Sequence, residues 1–206
     1  MSSQSAALIR SIIWALMVVT CVPGSVSATE ETPVAIVKDT ISRILETLSD
    51  NSLNDEQARA AVEQIASERI NYYEMGQRIL ARNWSKADDA QKARFVELFR
   101  ERFIHVYWSR IRNYSDEDVL YFTATIDRDI YATVDTIIQT ERIKVPVTYR
   151  LKFANGRWLA YDFLIENKSM ISTYRATYAQ IIKNKGIDKL LTIMATGRAT
   201  GWAEDS

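Results

Sequence analysis

Apolar residues in the first half of the chain recur every three or four positions, which is the spacing of amphipathic helices. The pattern predicts a helix over residues 33–49, a second beginning after Asn54, a third ending near Trp84 and a long one beginning after Asp88. Asn54 and Asp88 are each followed three residues later by glutamine, the capping-box spacing of a helix N-terminus. The apolar stripe of the long helix comprises Phe95, Leu98, Phe99, Phe103, Val106, Tyr107, Ile111 and Tyr114.

Beyond residue 118 the pattern changes to runs rich in β-branched and aromatic residues, as in strands. The runs are residues 119–126, 130–140, 143–153 and 158–165. Asn155-Gly156 lies between the last two runs and is a strong hairpin signal. Ser169 then begins a helix that stops at Lys185-Gly186, and a short helix follows. Helices, about four antiparallel strands and further helices predict an α+β fold.

The last predicted strand differs from the strand before it. Residues 145–153 alternate between apolar and mostly polar side chains, which is typical of a half-buried strand. In residues 158–165, simple alternation places apolar side chains on both faces. Either protein or an apolar ligand must therefore cover both faces.

The first 28 residues have the features of a cleavable export signal. Arg10 provides the positive charge, residues 11–22 the apolar segment, and Val26-Ser27-Ala28 the small residues of a cleavage site. We therefore expect cleavage after Ala28, export of the mature chain, one domain over residues 29–196 and a flexible tail over 197–206. Lipidation of Cys21 is a disfavoured alternative, because Thr20 suits it poorly.

Charge and composition exclude several classes of protein. The leader contains Arg10 as its one charged residue, which leaves 25 basic and 26 acidic side chains and no basic field to attract nucleic acid. Cys21 is the single cysteine and His105, predicted to face solvent, the single histidine. Zinc binding therefore lacks its ligands, and Cys/His catalysis lacks its nucleophile and base, so we expect no metal and no cofactor.

Asp162 is the one carboxylate inside a strongly apolar strand. It is either a general base whose pKa burial raises or a paired structural carboxylate, bonded to Arg175 or to a backbone donor. We favour the structural interpretation. Ser169 is explained as a helix cap.

Aromatic side chains are abundant for one small sheet and a few helices. The chain has six Phe, ten Tyr and five Trp, of which Trp14 lies in the leader. They form either an ordinary core or a cavity for acyl chains between the sheet and the long helix. Such a cavity would have to supply the transfer free energy that the membrane provides, which is about 0.8 kcal/mol per buried methylene. For a phospholipid with about 30 methylenes this is on the order of 25 kcal/mol.

An ordered set of short motifs is similar to the MlaC family, also called the toluene-tolerance or Tgt-type family. The residues that carry the resemblance are Met75-Gly76, Leu80, residues 84–87, Gln91, Arg94-Phe95, Phe99, Tyr107, residues 136–147, 158–162, Ile165-Glu166, 169–171, Tyr174-Arg175 and 185–188. The resemblance implies a cone like that of nuclear transport factor two. It also implies a non-catalytic periplasmic carrier of glycerophospholipids that maintains outer-membrane asymmetry. The implied partners are an inner-membrane ABC transporter with an MCE-domain ring and an outer-membrane lipoprotein–porin complex.

The resemblance directs the choice of site residues. The predicted lipid-binding residues are Ile79, Phe99, Phe103, Val106, Tyr107, Val147, Tyr149, Leu151, Phe163, Ile165, Met170 and Tyr174. Lys168 and Arg175 are predicted at the headgroup rim, or are simply solvated charges. The family often has glycine and a small apolar residue where Asn167-Lys168 stand, and Leu-Gly where this chain has Leu80-Ala81.

These departures leave the lipid class open, and a hopanoid or another hydrophobic ligand is an alternative cargo. An enzyme that uses Asp162 with Tyr161 is a less favoured hypothesis. A third is an interacting periplasmic subunit with a filled core.

Overall fold

The computed structural model describes residues 31–112, 118–140 and 143–197. The predicted leader with Cys21, the cleavage site and residues 198–206 of the tail lie outside these residues, as does Tyr114. The helices are α1 Pro33–Ser49, α2 Asp55–Arg69, α3 Tyr72–Leu80, α4 Asp89–Ile111, α5 Met170–Lys185 and α6 Ile187–Ala195, with a 3₁₀ turn at Ala81–Lys86. The strands are β1 Asp118–Tyr121, β2 Thr125–Asp127, β3 Tyr131–Gln139, β4 Lys144–Ala154, β5 Arg157–Ile165 and β6 Lys168–Ser169. The predicted α+β class is confirmed.

Side-chain caps fix the starts of the helices, as the sequence predicts. Asn54 and Asp88 each accept a hydrogen bond from the backbone N–H of the glutamine three residues on, at 2.9 and 2.8 Å. The glutamine side chains accept the reciprocal bonds, which completes both capping boxes. Ser169 caps α5, and Gly186, at φ 80°, ends it.

The sheet is antiparallel, with the order β1-β3-β4-β5-β6, and β2 also pairs with β3. It has six described strands where the sequence predicts about four. The predicted run 119–126 is interrupted, so that β1 and β2 pair separately with β3. Strand β6 has two residues and is too short to show an alternation of apolar and polar side chains in the sequence. The predicted hairpin is present, with positive φ at both Asn155 and Gly156 as a type I′ turn requires.

A β-bulge in β5 changes which of its side chains share a face, compared with the simple alternation expected from the sequence. Arg150 lies opposite Asp162 but Leu151 lies opposite Ala160, so Tyr161 is an extra residue. The extra residue reverses the alternation along β5. Trp158, Ala160, Phe163 and Ile165 therefore share one face of the sheet, here called the inner face, with their partners Phe153, Leu151, Tyr149 and Val147.

The opposite, outer face of the sheet is partly polar and lies against α3. Glu74 of α3 forms an ion pair with Lys152 at 2.9 Å, and the Arg78 guanidinium lies 4.2 Å from the centre of the Tyr161 ring. The bulged residue is therefore covered by protein. No helix among the described residues combines the length and apolar character needed to span a membrane.

Two apolar regions result from this arrangement. One is a closed core between α3, α4, α5 and α6, which contains Met75, Ile79, Phe95, Phe99, Tyr174 and Tyr178. The other lies between α1 and the inner face of the sheet and contains Ile36, Val37, Val134, Leu151 and Trp158.

Candidate functional site

A cavity of about 690 Å³ lies beside the second region, bounded by the inner face of the sheet, α1, α2 and α4. This volume falls within the range of small-molecule binding sites, about 300–1,000 Å³. Most lining side chains are apolar. The charged lining residues among those described are Arg69, Arg110 and Glu166.

The sheet wall of the cavity is built by alternation and by the bulge. Val147, Tyr149 and Leu151 point inward at every second position of β4. On β5 the bulge brings Ala160 onto the same wall as Phe163 and Ile165. Tyr149 and Phe163 meet edge to face, with ring centres 5.7 Å apart, and form the middle of the wall.

The helical wall is built from stripes at three- and four-residue spacing. The stripe of α1 contributes Ile36, Val37, Ile41 and Ile44, and α4 contributes Phe103, Tyr107 and Ile111. From α2 come Val62, Ala66 and Arg69. The result is a continuous apolar surface that no side chain of the described residues fills.

The tyrosine hydroxyls at this site stay protonated. Burial raises the pKa of Tyr149, although a hydrogen bond with Thr136 acts in the opposite direction. Burial also raises the pKa of Tyr107. Both side chains are therefore neutral near physiological pH and suit a wall that contacts apolar groups.

Comparison with known proteins gives the same assignment as the resemblance in the sequence. The sequence model of the family described as MlaC protein matches residues 38–196. This chain belongs to the MlaC family. Among solved structures, a phospholipid-binding protein from Ralstonia solanacearum in complex with a phospholipid is 22% identical, with a TM-score of 0.74. The match covers 81% of this chain and 96% of that one, so the two share the fold.

The cavity brings together eight of the residues predicted to bind lipid in this MlaC protein. They are Phe103, Tyr107, Val147, Tyr149, Leu151, Phe163, Ile165 and Met170. They come from α4, β4, β5 and the start of α5, which meet around one space. Their contact with a ligand stays a prediction.

The structure does not place the other four predicted residues, Ile79, Phe99, Val106 and Tyr174, on the cavity wall. Phe99 and Tyr174 pack edge to face at 5.2 Å in the closed core, where Ile79 is 1% exposed. Val106 is buried on α4. The apolar stripe of α4 thus serves both the core and the cavity, and spacing along the helix does not separate the two.

Neither predicted headgroup-rim residue lines the cavity. The Nε–H of Arg175 donates a 2.9 Å hydrogen bond to the backbone oxygen of Arg78, which directs it towards α3. Lys168 is exposed on β6. The arginines on the cavity wall, Arg69 and Arg110, were not singled out in the sequence, because both lie at the polar ends of helices.

The α1 side of the cavity lies outside the set of residues predicted from the sequence. The α1 stripe is visible in the sequence, but nothing there distinguishes packing against a sheet from lining a space beside it. The lining side chains that were not predicted include Ile36, Val37, Ile41, Ile44, Val62, Ala66, Ile104, Trp108, Ile138 and Val145.

Asp162 is 2% exposed and bonded to four donors. It accepts hydrogen bonds from the backbone N–H of Phe163 at 2.9 Å and of Ile171 at 3.1 Å, and from the Ser169 hydroxyl at 2.7 Å. Its ionic partner is Arg150 at 3.3 Å, not the suggested Arg175. These bonds join β5 to the start of α5, and Asp162 does not line the cavity.

Proposed function

We propose that this MlaC protein is a phospholipid carrier whose cavity holds acyl chains. The observation that carries the proposal is the continuous apolar cavity between the inner face of the sheet and α1, α2 and α4. Membership of the MlaC family and a shared fold with a protein solved in complex with a phospholipid support it.

The energetic basis of the proposal is transfer of methylenes from a bilayer into a comparable environment. Each methylene that leaves the membrane must regain about 0.8 kcal/mol in the protein. A wall of aromatic and branched side chains such as Tyr149, Phe163 and Ile41 provides that environment, and acyl chains bind to it without forming hydrogen bonds. Binding to such a wall needs no covalent step, so we propose a carrier and not an enzyme.

We further propose that the carrier is exported to the periplasm and moves phospholipid between the outer and inner membranes, which would maintain outer-membrane lipid asymmetry. Its partners would be an inner-membrane MCE-domain ABC transporter and an outer-membrane lipoprotein–porin complex. The leader pattern of residues 1–28 supports export. A cavity that shields acyl chains from water is what transfer across an aqueous compartment requires.

Native mass spectrometry of protein purified without detergent tests the ligand. We expect an adduct with the mass of a phospholipid, and fragmentation that releases fatty acyl groups. A polycyclic adduct would support the hopanoid alternative. A ligand-free mass, together with no lipid acquired from vesicles, would contradict the proposal.

Transfer between vesicles tests the carrier step separately. Donor vesicles with a self-quenching fluorescent phospholipid are mixed with unlabelled acceptors, and dequenching is followed with and without the protein. We expect the transfer rate to rise in proportion to protein concentration. Binding without transfer would retain a lipid-binding protein but reject a carrier that acts alone.

A further inference from the structure

The cavity has an open end and a closed end. The lining residues at the open end, here called the mouth, include Ile143, which is 59% exposed, and half-buried Val145. Those at the closed end include Leu151 and Ala160, which are 1% and 7% exposed. The wall from Val145 to Leu151 is about 20 Å long, at about 3.3 Å per residue along β4. The hydrocarbon of one membrane leaflet is about 15 Å thick, so the wall has the length scale of an acyl chain.

The end of α2 and an aromatic pair close the far end of the cavity. The backbone N–H of Asn71, just after α2, donates to the Ala160 oxygen at 2.8 Å. Ile70, which bridges to the same residue, lines the cavity at this point. Beyond Ala160, the next inner-face side chain of β5 is Trp158, which packs on Phe153 with ring centres 5.3 Å apart. Neither ring lines the cavity, so the β5 wall ends at Ala160.

The bulge decides which side chain of β5 stands at the closed end. Unbroken alternation back from Phe163 would place Tyr161 on the inner face, whereas the bulge places Ala160 there. Tyr161 lies on the outer face, 4.2 Å from the Arg78 guanidinium and 6.0 Å from the Tyr131 ring, measured to its ring centre. A methyl group therefore stands at the closed end, where a phenol ring would occupy part of the cavity.

We propose that Ala160 sets the longest acyl chain that the cavity holds. This inference rests on the proposed function and adds the ligand property that the closed end selects. The chain ends lie against Ala160 and Leu151, and the glycerol lies at the mouth, because the mouth is the end that opens to water. A chain longer than the cavity leaves methylenes in water at the mouth, and each of them weakens binding about fourfold. A larger side chain in place of Ala160 therefore shifts the preference towards shorter chains.

The experiment compares two chain lengths in one population of vesicles. The vesicles contain equal amounts of phosphatidylethanolamine and phosphatidylglycerol, each with two lauroyl chains or with one palmitoyl and one oleoyl chain. Lipid-free protein is incubated with them and recovered, and mass spectrometry gives the ratio of long-chain to short-chain lipid bound. We expect Ala160→Leu to lower this ratio at least threefold relative to the wild type, with Ala160→Val in between. Every variant meets the same vesicles, so differences in how readily the lipids leave the bilayer cancel.

The matched control is Ala154, a half-buried alanine of β4 outside the cavity lining. Ala154→Leu and Ala154→Val should keep the wild-type ratio. Circular dichroism checks folding, and Ala160→Val decides the outcome if Ala160→Leu does not fold. A wild-type ratio in the folded Ala160 variants, or an equal loss of both chain lengths, would overturn the chain-length assignment. A wild type that acquires no lipid of either chain length would overturn the proposed function itself and this inference with it.

Discussion

The closed core and the cavity are built from the same kinds of side chain, yet one is filled and the other is not. In the closed core, Phe95 and Phe99 stack with ring centres 6.1 Å apart, and Tyr178 meets Phe95 edge to face at 5.9 Å. In the cavity, the space between the inner face of the sheet and α1, α2 and α4 measures about 690 Å³. Apolar content alone therefore does not distinguish a core from a binding site.

The two regions also divide a single helix. Phe99 of α4 belongs to the core, Tyr107 to the cavity, and Phe103 contacts both, since it lies 6.2 Å from Phe99 and 4.8 Å from Tyr107 between ring centres. One end of α4 is thus packed in the closed core, while the other end borders the cavity.

The largest expected effect is a difference between the two regions in how much a truncated isoleucine lowers the free energy of unfolding. Ile79→Ala in the closed core should lower the free energy of unfolding by about 3–4 kcal/mol, because the methylenes it removes are fully packed. The matched change Ile41→Ala on the cavity wall should cost about 1 kcal/mol, because Ile41 already faces empty space on one side. Urea unfolding of lipid-free protein measures both. Equal losses would contradict the division into filled and unfilled regions.

A smaller loss is expected at the carboxylate that joins β5 to α5. Asp162→Asn should lower the free energy of unfolding by about 2 kcal/mol, because the amide cannot accept from all four donors. Lipid uptake per folded molecule should stay at the wild-type level, because Asp162 is not on the cavity wall. Loss of uptake in a fully folded variant would reopen a functional role for this group.

Filling the cavity should remove binding without unfolding the protein. Ile41→Trp places an indole in the space beside α1 and should weaken phospholipid binding at least tenfold, about 1.4 kcal/mol. Ile182→Trp on α5, half-buried and outside the lining, is the control. Fluorescent-lipid titration compares the two. Equal affinities would place the acyl chains elsewhere.

The smallest expected effect is the pH-dependent contribution to stability of Glu74, which lies against the outer face of the sheet. Burial alone would raise the pKa of Glu74, but the hydrogen bonds from Lys152 and Arg78 outweigh it and hold the pKa below its usual 4.5. The stability from this ionised carboxylate is therefore complete above pH 4.5 and is lost as pH falls through the folded-state pKa. Glu74→Gln should cost about 0.5–1 kcal/mol at pH 7, and the deficit should shrink below pH 4.5.

The surface pair of Glu97 and Arg94 serves as the control for that titration, since both side chains are about half exposed. Glu97→Gln should change the free energy of unfolding by less than about 0.5 kcal/mol, because exposed ion pairs contribute little. Lipid binding should be unchanged in both variants, because neither glutamate lines the cavity. A Glu74→Gln deficit that grows on acidification would contradict the assigned direction.

The helix starts were predictable because their capping residues act locally, whereas the bulge in β5 depends on how that strand pairs with β4. The Asn54 and Asp88 caps and the Asn155-Gly156 turn act within a few residues, so their sequences specify them. Tyr161 becomes an extra residue through the register of β5 against β4, which alternation within one strand does not encode. That single residue changed which side chains form the cavity wall.

The cavity itself was predictable as a set of apolar residues but not as a space. Phe99 and Phe103 are four positions apart on one stripe, and their division between core and cavity follows from where α5 packs. Ile41 and its neighbours on α1 were recognised as an amphipathic face whose partner was unknown. The long-range position of α1 over the sheet decides that this face lines a ligand-sized space.

We propose that acyl chains occupy the cavity between α1 and the inner face of the sheet. A crystal structure of the protein loaded with a phospholipid brominated midway along its acyl chains tests it directly through anomalous scattering. We expect bromine peaks beside Ile41, Tyr149 and Phe163. Bromine between α3 and α5, or bound at the surface with the cavity empty, would contradict it.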